Sequence, residues 1–168
     1  MLFRSPIVRR YVANVPDGWG DDKYNPFSTV SLERDGDARR LVCASYVKDA
    51  AKVDLALVLF FEFDNACALD GWKDGEVVAS EAWRSNLDYV QGVFAKEKTL
   101  WFARSSVCKL TRRSKKQNGS GCDYDWAYGA ESLHYNPHTG RLWSCTEGQL
   151  PDNPGYRSVF CLDLEDVS

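Results

Sequence analysis

Apolar and polar residues alternate along three stretches of the chain, and each stretch is interrupted by a short polar turn. The clearest stretch is GAESLHYNPHTGRLWSCTE at residues 129–147, where ESLHY and RLWSC flank the turn sequence NPHTG. Alternation with a period of two is typical of a strand with one buried face, and Pro and Gly between two such runs predict a hairpin. The segment RSVFCLDL at residues 157–164 adds a third strand, since it is rich in β-branched and aromatic residues.

The same pattern recurs at residues 27–63 and 88–112, so we infer three diverged repeats. In the first, STVSL leads through ERDGDAR to RLVCASYV and then to DLALVLFFEF. In the second, YVQGVF leads through AKEK to TLWFARS and SVCKLTR. The predicted hairpin turns lie at residues 35–38, 96–98 and 137–140. Aligning the repeats places three sets of residues in register: Ser31, Gly92 and Ser132; Leu32, Val93 and Leu133; Leu41, Leu100 and Leu142.

A repeat of about 40 to 60 residues with three or four short strands is typical of a β-propeller blade. We predict an all-β fold of antiparallel four-stranded repeats that is β-propeller-like, with about three blades. The fourth strands are predicted in EVVASEAW at residues 76–83 and CDYDWAY at residues 122–128. Closed propellers need about four blades or more to remove exposed sheet edges. Three blades therefore indicate an incomplete propeller, part of a longer parent protein, or a homo-oligomer that closes by pairing with another copy.

The chain divides into an N-terminal strand with its connector, residues 1–25, and a propeller-like repeat domain, residues 26–168. The strand is predicted in IVRRYVANV at residues 7–15, which alternates between apolar and polar positions. We expect it to be the outer strand of a blade that precedes the first visible one. No break in composition divides the repeat domain further.

The charge balance excludes some classes of partner. With 21 basic and 24 acidic residues, the formal net charge of −3 gives no general attraction to nucleic acid or to an anionic membrane. The basic cluster RRSKK at residues 112–116 is interpreted as a solvated loop tip. The longest apolar run, residues 55–61, is too short to span a membrane. Arginines interrupt the apolar N-terminus, so the protein is either cytosolic or exported by a signal outside this sequence.

Six cysteines are scattered along the chain without a CxxC pair, which argues against a zinc site. Four of them lie in predicted strands, where we expect buried free thiols: Cys43, Cys108, Cys145 and Cys161. Cys67 and Cys122 lie in loops or near strand ends, and they are candidates for a disulfide if the protein is exported.

Four stretches of the chain together carry a family resemblance: NPFSTVSLERDGDARRLVCASYV, SEAWRSNLDYVQGVFAKEKTLWFARSS, YGAESLHYNPHTGRLWSCTE and RSVFCLDL. From about Asn25 to the end, the chain resembles the C-terminal part of poorly characterised secreted β-propeller-like proteins of actinobacterial type. The most specific pieces are VQGV and ESL…GRLW…TE. The resemblance implies an extracellular protein whose export signal and first blades precede Met1, and it brings no catalytic residues. Six cysteines are more than such relatives would carry.

Gln91 and Glu131 are the candidate ligand-binding residues, because they share a register position with Val30 on the first strand of each repeat. If that strand lines a central channel, as in propellers generally, these side chains face or flank the channel. Carboxylate and amide oxygens suit calcium, so calcium is the one cofactor we consider. Only one carboxylate is placed so, and no metal ligand is assigned. A hydrogen bond between neighbouring strands is the other interpretation of Glu131.

Other candidate residues carry weaker signals. His134 alternates with apolar neighbours and His138 lies in a predicted turn, so we expect a structural or surface role for both. Ser132 lacks the GxSxG pattern of a nucleophile, and Cys145 lacks a nearby partner. Four tryptophans could stack on a sugar, but core packing is favoured because two of them share a register position: Trp83, Trp101, Trp126 and Trp143.

Two functions from different classes fit these patterns. The favoured one is a non-catalytic, extracellular, propeller-like binding module of unknown ligand. The alternative is a metal-assisted hydrolase or lactonase that acts in the propeller channel. The sequence does not decide whether the protein is an enzyme. The expected partner is an unknown ligand or protein, with no nucleic acid and no membrane span, and with a second copy or missing upstream blades to complete the ring.

Overall fold

The computed structural model describes residues 12–16, 27–35, 38–63, 69, 75–116, 121–147 and 157–167. The described strands are β1 (Val12–Asn14), β2 (Phe27–Asp35), β3 (Ala38–Ser45), β4 (Leu57–Glu62), β5 (Glu76–Val78), β6 (Glu81–Arg84), β7 (Val90–Lys96), β8 (Thr99–Arg104), β9 (Lys109–Ser114), β10 (Gly121–Asp125), β11 (His134–Asn136), β12 (Arg141–Cys145) and β13 (Val159–Asp163). Short 3₁₀ helices lie at Ala50–Leu55, Ser105–Val107 and Leu164–Val167.

Three antiparallel sheets follow one another along the chain. The first contains β2, β3, β4 and β6, the second contains β7 to β10, and the third contains β11 to β13. In each sheet the strands pair in the order in which the chain makes them, as in a propeller blade. We call the sheets the first, second and third blade. The predicted all-β, antiparallel, propeller-like repeat is confirmed.

The predicted hairpin turns are also confirmed by the strand pairing. Paired residues close each turn: Asp35 with Ala38, Lys96 with Thr99, and Asn136 with Arg141. Glu97 (φ 55°) and Gly140 (φ 70°) adopt the left-handed backbone that such tight turns require. Asn136 further supports the third turn, because its Oδ1 accepts a hydrogen bond of 2.9 Å from the His138 amide.

The outer strands differ in part from the prediction. β10 is the fourth strand of the second blade, as predicted for residues 122–128. The segment at residues 76–83 instead divides in two: β6 completes the first blade, while β5 leaves it and pairs in parallel with β1. β1 therefore lies beside the first blade, paired with a later segment of its own chain, and its assignment as the outer strand of a preceding blade stays a prediction. Residues 7–11 of that predicted strand lie outside the described residues.

Two predicted strands begin later than their sequence patterns indicate. Asp49 caps the 3₁₀ helix Ala50–Leu55 by accepting a hydrogen bond of 3.0 Å from the Ala51 amide, so β4 begins at Leu57. Cys108 ends the next 3₁₀ helix with φ 55°, and it lies just before β9 rather than within a strand.

Five cysteines are described, and all are free thiols: Cys43, Cys108, Cys122, Cys145 and Cys161. Burial raises the pKa of the Cys43 thiol to about 11, which keeps it protonated at neutral pH. Cys122 is exposed at the second residue of β10, near a strand end as the sequence analysis expects. Cys67, the other cysteine considered for a disulfide, lies outside the described residues.

The inner strand of the first blade is shifted by two residues from the sequence alignment. The second strands keep the predicted register, with Leu41, Leu100 and Leu142 at equivalent positions. On the inner strands the residues that pair with these leucines are Leu32, Ala95 and Tyr135. Val30, and not Leu32, is therefore equivalent to Val93 and Leu133. The shift arises because the first hairpin is longer: beyond Leu32 and Leu41 it continues for three more pairs to Asp35 and Ala38, whereas the second hairpin has one more pair beyond Ala95 and Leu100. Because a slip of two residues keeps each side chain on the same face, hydrophobic pattern alone does not detect it.

Each blade has two faces, which we call front and back. The front face of the second blade, with Val93 and Phe102, packs on the back face of the first blade, with Val58 and Phe60. All four side chains are fully buried. Trp83 covers the edge of this cluster and stacks on Phe102 at a centroid distance of 6.0 Å. Burial of this apolar surface holds the first two blades together.

The second blade packs on the third in the same way. Trp101 and Leu110 of its back face meet Leu133 and Leu142 of the third blade's front face in one cluster. Trp126 packs against this cluster, so the core interpretation holds for it as for Trp101. Trp143, at the equivalent position on the back face of the third blade, is only half-buried.

The front face of the first blade packs on a different element. Leu59 and Phe61 lie in a cluster with Val77 and Ala79 from the segment around β5, and Ala13 of β1 packs against it. The small parallel sheet of β1 and β5 thus covers the outer part of this face. No helix among the described residues is long and apolar enough to cross a membrane.

A buried carboxylate ties the first blade to the second. Glu33 is 1% exposed and accepts a hydrogen bond of 2.5 Å from Arg40, and it also pairs with Lys115. Arg40 and Lys115 each lie 4.7 Å from the centre of the Phe60 ring. Such a carboxylate is tolerated because both its oxygens are paired. Lys115 therefore has a structural partner, which corrects the interpretation of residues 112–116 as a solvated loop tip.

The inner strands of the second and third blades approach closely at Gly92. A Cβ atom built there would lie 2.8 Å from the Ser132 carbonyl carbon and 3.0 Å from the Leu133 side chain. Contacts this short require the backbone to move, so the position needs the small size of glycine.

We expect Gly92→Ala to destabilise the protein by about 1 to 3 kcal/mol, the range for overpacking a close contact. The measurement is urea unfolding followed by tryptophan fluorescence. Lys98→Ala, in the exposed turn between β7 and β8, is the control and should change the free energy of unfolding by less than about 0.5 kcal/mol. Equal stability of the two variants would contradict the close approach.

Candidate functional site

Two polar positions recur at the end of each blade where the inner strand begins. The first is the β-bulge of the inner strand, where Ser28 and Gln91 have no pairing partner on the neighbouring strand although the residues on either side of them do. Glu131 holds the same position in the third blade, since Ala130 bridges to Thr146 and the Glu131 amide donates to the Cys145 carbonyl at 2.9 Å. The structure therefore confirms that Gln91 and Glu131 are equivalent, but it makes Ser28 their counterpart instead of Val30.

The residue before each bulge pairs with a residue further along the chain. The second recurring position is the residue that comes next after this partner. It is occupied by Tyr46 in the first blade, Ser105 in the second and Glu147 in the third. The sequence analysis missed all three residues. An alignment that allowed for the bulge would find them, because they share one register position. We call Tyr46, Tyr89, Gln91, Ser105, Glu131 and Glu147 the bulge cluster.

Hydrogen bonds connect these side chains across two blades. The Ser105 hydroxyl donates to Gln91 Oε1, and Gln91 Nε2 donates to Glu131 Oε1 at 2.5 Å. Glu147 is a neighbour of Glu131, close enough to raise the pKa of the Glu131 carboxyl. The two residues predicted from the sequence are thus in direct contact. The contact fits the interpretation of Glu131 as a link between neighbouring strands, while a position on a central channel stays a prediction.

The Glu131 carboxyl has an unusual environment. Burial raises its pKa, and the neighbouring Glu147 carboxylate raises the pKa further by repulsion and by a hydrogen bond. The hydrogen bond from Gln91 offsets part of this rise, because it favours the ionised form. Two carboxylates in contact hold a proton between them to a higher pH than an isolated glutamate does.

Tyr46 and Tyr89 extend the cluster towards the first blade. Their rings meet edge to face, with centroids 6.3 Å apart and planes at 75°. Burial raises the pKa of the Tyr46 phenol, and Tyr89, Glu131 and Asp88 raise it further, so the local electrostatic field is negative. Asp88 itself is paired with Arg104.

The backbone before the inner strands of the second and third blades holds the cluster in place. Tyr89 (φ 54°) and Gly129 (φ 70°) both adopt the left-handed conformation, which is uncommon for tyrosine. The Tyr89 amide donates to the Val47 carbonyl at 2.8 Å, and the Gly129 amide donates to the Ser105 carbonyl at 3.1 Å. Each bond joins one blade to the next at the end where the polar side chains lie.

The remaining candidate residues lie outside the bulge cluster. His134 is exposed in β11, and His138 lies in the turn at the other end of the hairpin. The Ser132 hydroxyl lies 3.5 Å from the Cys145 sulfur, so Cys145 has a polar neighbour that the sequence did not reveal. Within the described ranges, no group of three or more His, Cys, Asp and Glu side chains is placed to hold a metal ion.

The fold and the polar cluster define an all-β, propeller-like repeat protein with a conspicuously acidic end. No protein-family model and no curated protein sequence matches the chain. Among solved structures, the chain is similar to the PQQ-bound form of an aldose sugar dehydrogenase from Streptomyces coelicolor, with 14% identity and a TM-score of 0.44. The match covers 80% of this chain and 43% of that chain, so it spans less than half of the neighbour's length. Similarity of this degree supports no inference about ligand or activity.

The raised pKa of Glu131 predicts a stability effect with a defined sign. Between the ordinary glutamate pKa and the raised one, the folded protein binds more protons than the unfolded chain, so stability falls as pH rises through this window. Glu131→Gln should lose this dependence. At pH 7 it should be as stable as the natural protein or more stable, by on the order of 0.5 kcal/mol.

Urea unfolding between about pH 4 and about pH 8 measures the effect. Asp125→Asn is a control of opposite sign, because a hydrogen bond from Lys109 lowers the pKa of the Asp125 carboxyl. The stability that Asp125 contributes is present above its ordinary pKa and is lost as pH falls. A Glu131→Gln variant with the pH dependence of the natural protein would contradict the assignment.

Proposed function

We propose that the chain is a non-catalytic binding module whose bulge cluster takes a small organic cation. The observation that carries the proposal is the hydrogen-bonded chain from Ser105 through Gln91 to Glu131, which holds a partly buried carboxylate in place with the Glu147 carboxyl as its neighbour. The interactions that shift the Glu131 pKa come from burial, Glu147 and Gln91, and none of these is cationic. A ligand with an ammonium group would compensate the repulsion between the two carboxylates, because opposite charge favours their ionised forms.

The neighbouring groups suit the same class of ligand. Tyr46 and Tyr89 offer aromatic surface, and an ammonium group is attracted to the face of such rings. Gln91 is held on both sides by Ser105 and Glu131, so its amide is fixed in orientation before a ligand arrives. A rigid amide beside a pair of carboxylates supports selective binding through hydrogen bonds.

The cluster offers less support for catalysis. The described histidines stand at other places in the third blade, which leaves the bulge cluster without an imidazole base. No observation in the described residues favours the metal-assisted hydrolase, and it remains the alternative function. Extracellular location and kinship with secreted propeller-like proteins stay predictions.

Isothermal titration calorimetry tests the proposal with 1,4-diaminobutane and choline as probes and calcium chloride as a comparison. We expect saturable binding of an ammonium probe at neutral pH. Glu131→Gln and Glu147→Gln should each weaken it at least about tenfold, since each removes one charge that faces the ligand. Asp125→Asn removes an exposed carboxylate on β10 and should leave the affinity unchanged.

The affinity should also fall as pH is lowered through the raised pKa of Glu131, because protonation removes the attractive charge. Absence of saturable ammonium binding, or binding that Glu131→Gln does not weaken, would contradict the proposal. Calcium binding that requires Glu131, without ammonium binding, would favour the metal-assisted alternative.

A further inference from the structure

We infer that Ser105, Gln91 and Glu131 form a two-state hydrogen-bond switch, in which uptake of one proton by Glu131 turns the Gln91 amide over and reverses the direction of every bond. We call these three side chains, together with the Tyr89 carbonyl group, the relay. The inference rests on where donors and acceptors lie along the relay. It concerns the protein without a ligand, and only its consequence for binding rests on the proposed function.

In the first state of the relay, the donors point towards Glu131. The Ser105 hydroxyl donates to Gln91 Oε1, and Gln91 Nε2 donates to Glu131 Oε1 at 2.5 Å. An ionised carboxylate can only accept hydrogen bonds, so this direction suits the charged form of Glu131. Gln91 lies between a donor on one side and an acceptor on the other, which fixes its amide in this state.

Ser105 has a second acceptor within reach. Its hydroxyl oxygen lies 3.5 Å from the Tyr89 carbonyl oxygen, which also accepts a hydrogen bond of 3.0 Å from the Ser105 amide. A hydroxyl carries one proton and rotates to suit its neighbours, while a carbonyl oxygen has two lone pairs. Ser105 can therefore donate to Gln91 or to Tyr89. The residue is 2% exposed, so bulk water does not reach this hydroxyl.

Gln91 is the residue type that allows a reversal. The terminal torsion of glutamine is broad and roughly twofold, and a half-turn exchanges its oxygen and nitrogen without moving either neighbour. After the half-turn, Gln91 presents its oxygen to Glu131 and its NH₂ group to Ser105. The Ser105 hydroxyl then accepts from Gln91 and turns its own proton to the Tyr89 carbonyl.

Protonation of Glu131 selects the reversed state. The proton comes from solvent, since the Glu131 side chain is only half-buried. The new O–H group is a donor and needs an acceptor, which the turned Gln91 amide supplies. Glu131 then donates to Gln91, Gln91 donates to Ser105, and the hydroxyl of Ser105 donates to the Tyr89 carbonyl. Each donor along the relay is paired in both states, which avoids the cost of an orphaned buried donor.

The titratable and charged groups around Glu131 set the pH at which the relay reverses. Among the described residues they come from the segments after β12 and β3 and from the neighbouring ends of β7 and β8: Glu147, Tyr46, Tyr89, Asp88 and Arg104. Burial raises the pKa of Glu131, and Glu147 raises it further. Arg104 is paired with Asp88. The relay therefore reverses as pH falls through the raised pKa of Glu131 and returns as pH rises.

Reversal removes the negative charge that the proposed cation site offers at Glu131. Because a cation favours the ionised carboxylate, a bound ammonium group holds the relay in its first state. Ser105 is then a positioning residue, since it acts on Glu131 only through Gln91. This consequence rests on the proposed function, whereas the reversal itself does not.

Nuclear magnetic resonance of the isotope-labelled, ligand-free protein tests the inference between about pH 4 and about pH 8. The Glu131 carboxyl carbon reports uptake of the proton, and nuclear Overhauser contacts of the Gln91 NH₂ group report the orientation of the amide. We expect the stronger contacts to be with Glu131 at high pH and with Ser105 at low pH. The change should have the same midpoint as the Glu131 signal, because one proton drives both.

Ser105→Ala should abolish the reversal. Without the hydroxyl, the turned Gln91 amide has no acceptor for its NH₂ group, and a buried N–H without a partner is rarer than an under-satisfied carbonyl. The NH₂ group should then keep its contacts with Glu131 at every pH. Ser80→Ala is the matched control, because the Ser80 hydroxyl bonds to the Phe60 carbonyl in the first blade, and it should leave the reversal unchanged.

A Gln91 amide that keeps its contacts while Glu131 titrates would overturn the inference, because the proton then lies between Glu131 and Glu147. A reversal that persists in Ser105→Ala would overturn it as well. Should that variant fail to fold, the titration of the natural protein decides alone. Since no ligand is present, these results are independent of the calorimetry that tests ammonium binding, and failure of one proposal is distinguished from failure of the other.

Discussion

The structure depends on sheets that are apolar on both faces. A sheet of this kind is stable only between two neighbours, because each exposed face leaves large side chains in water. Phe60, Phe102 and Trp101 show how the chain meets this requirement, since each lies between successive blades. The same requirement explains the ion network around Glu33, where the apolar stems and charged ends of Arg40 and Lys115 cover Phe60 at the rim of the first interface.

Stacking of blades brings their inner strands together, and the bulges turn that proximity into a polar site. An unpaired residue at a bulge points its side chain away from the ladder pattern, so Gln91 is free to bond across to Glu131. Close approach at Gly92 sets the distance between the two strands. The acidic cluster is therefore a consequence of how the blades pack, and its contacts cross the boundary between the second and third blades.

Repetition also accounts for which positions of each blade are buried. The second blade meets the first with its front face and the third with its back face, whereas the front face of the first blade packs on the small sheet of β1 and β5. Val30 and Val159 occupy the positions that the interfaces between blades bury, and both are exposed in the first and third blades. The polar cluster and the buried interfaces between blades thus follow from the same repeated geometry.

The amino-acid sequence by itself determined the strand-rich repeat, the three hairpin turns and the equivalence of Gln91 with Glu131, because period-two alternation and turn residues are local signals. Only the tertiary structure decided the rest. The two-residue shift in the first hairpin preserves the hydrophobic pattern, and the pairing of β5 with β1 depends on a distant segment. The raised pKa of Glu131 comes first from burial and then from Glu147 as a neighbour, and both arise only after the chain folds. Local patterns specify which faces are apolar, whereas the neighbour that each face meets is a property of the whole fold.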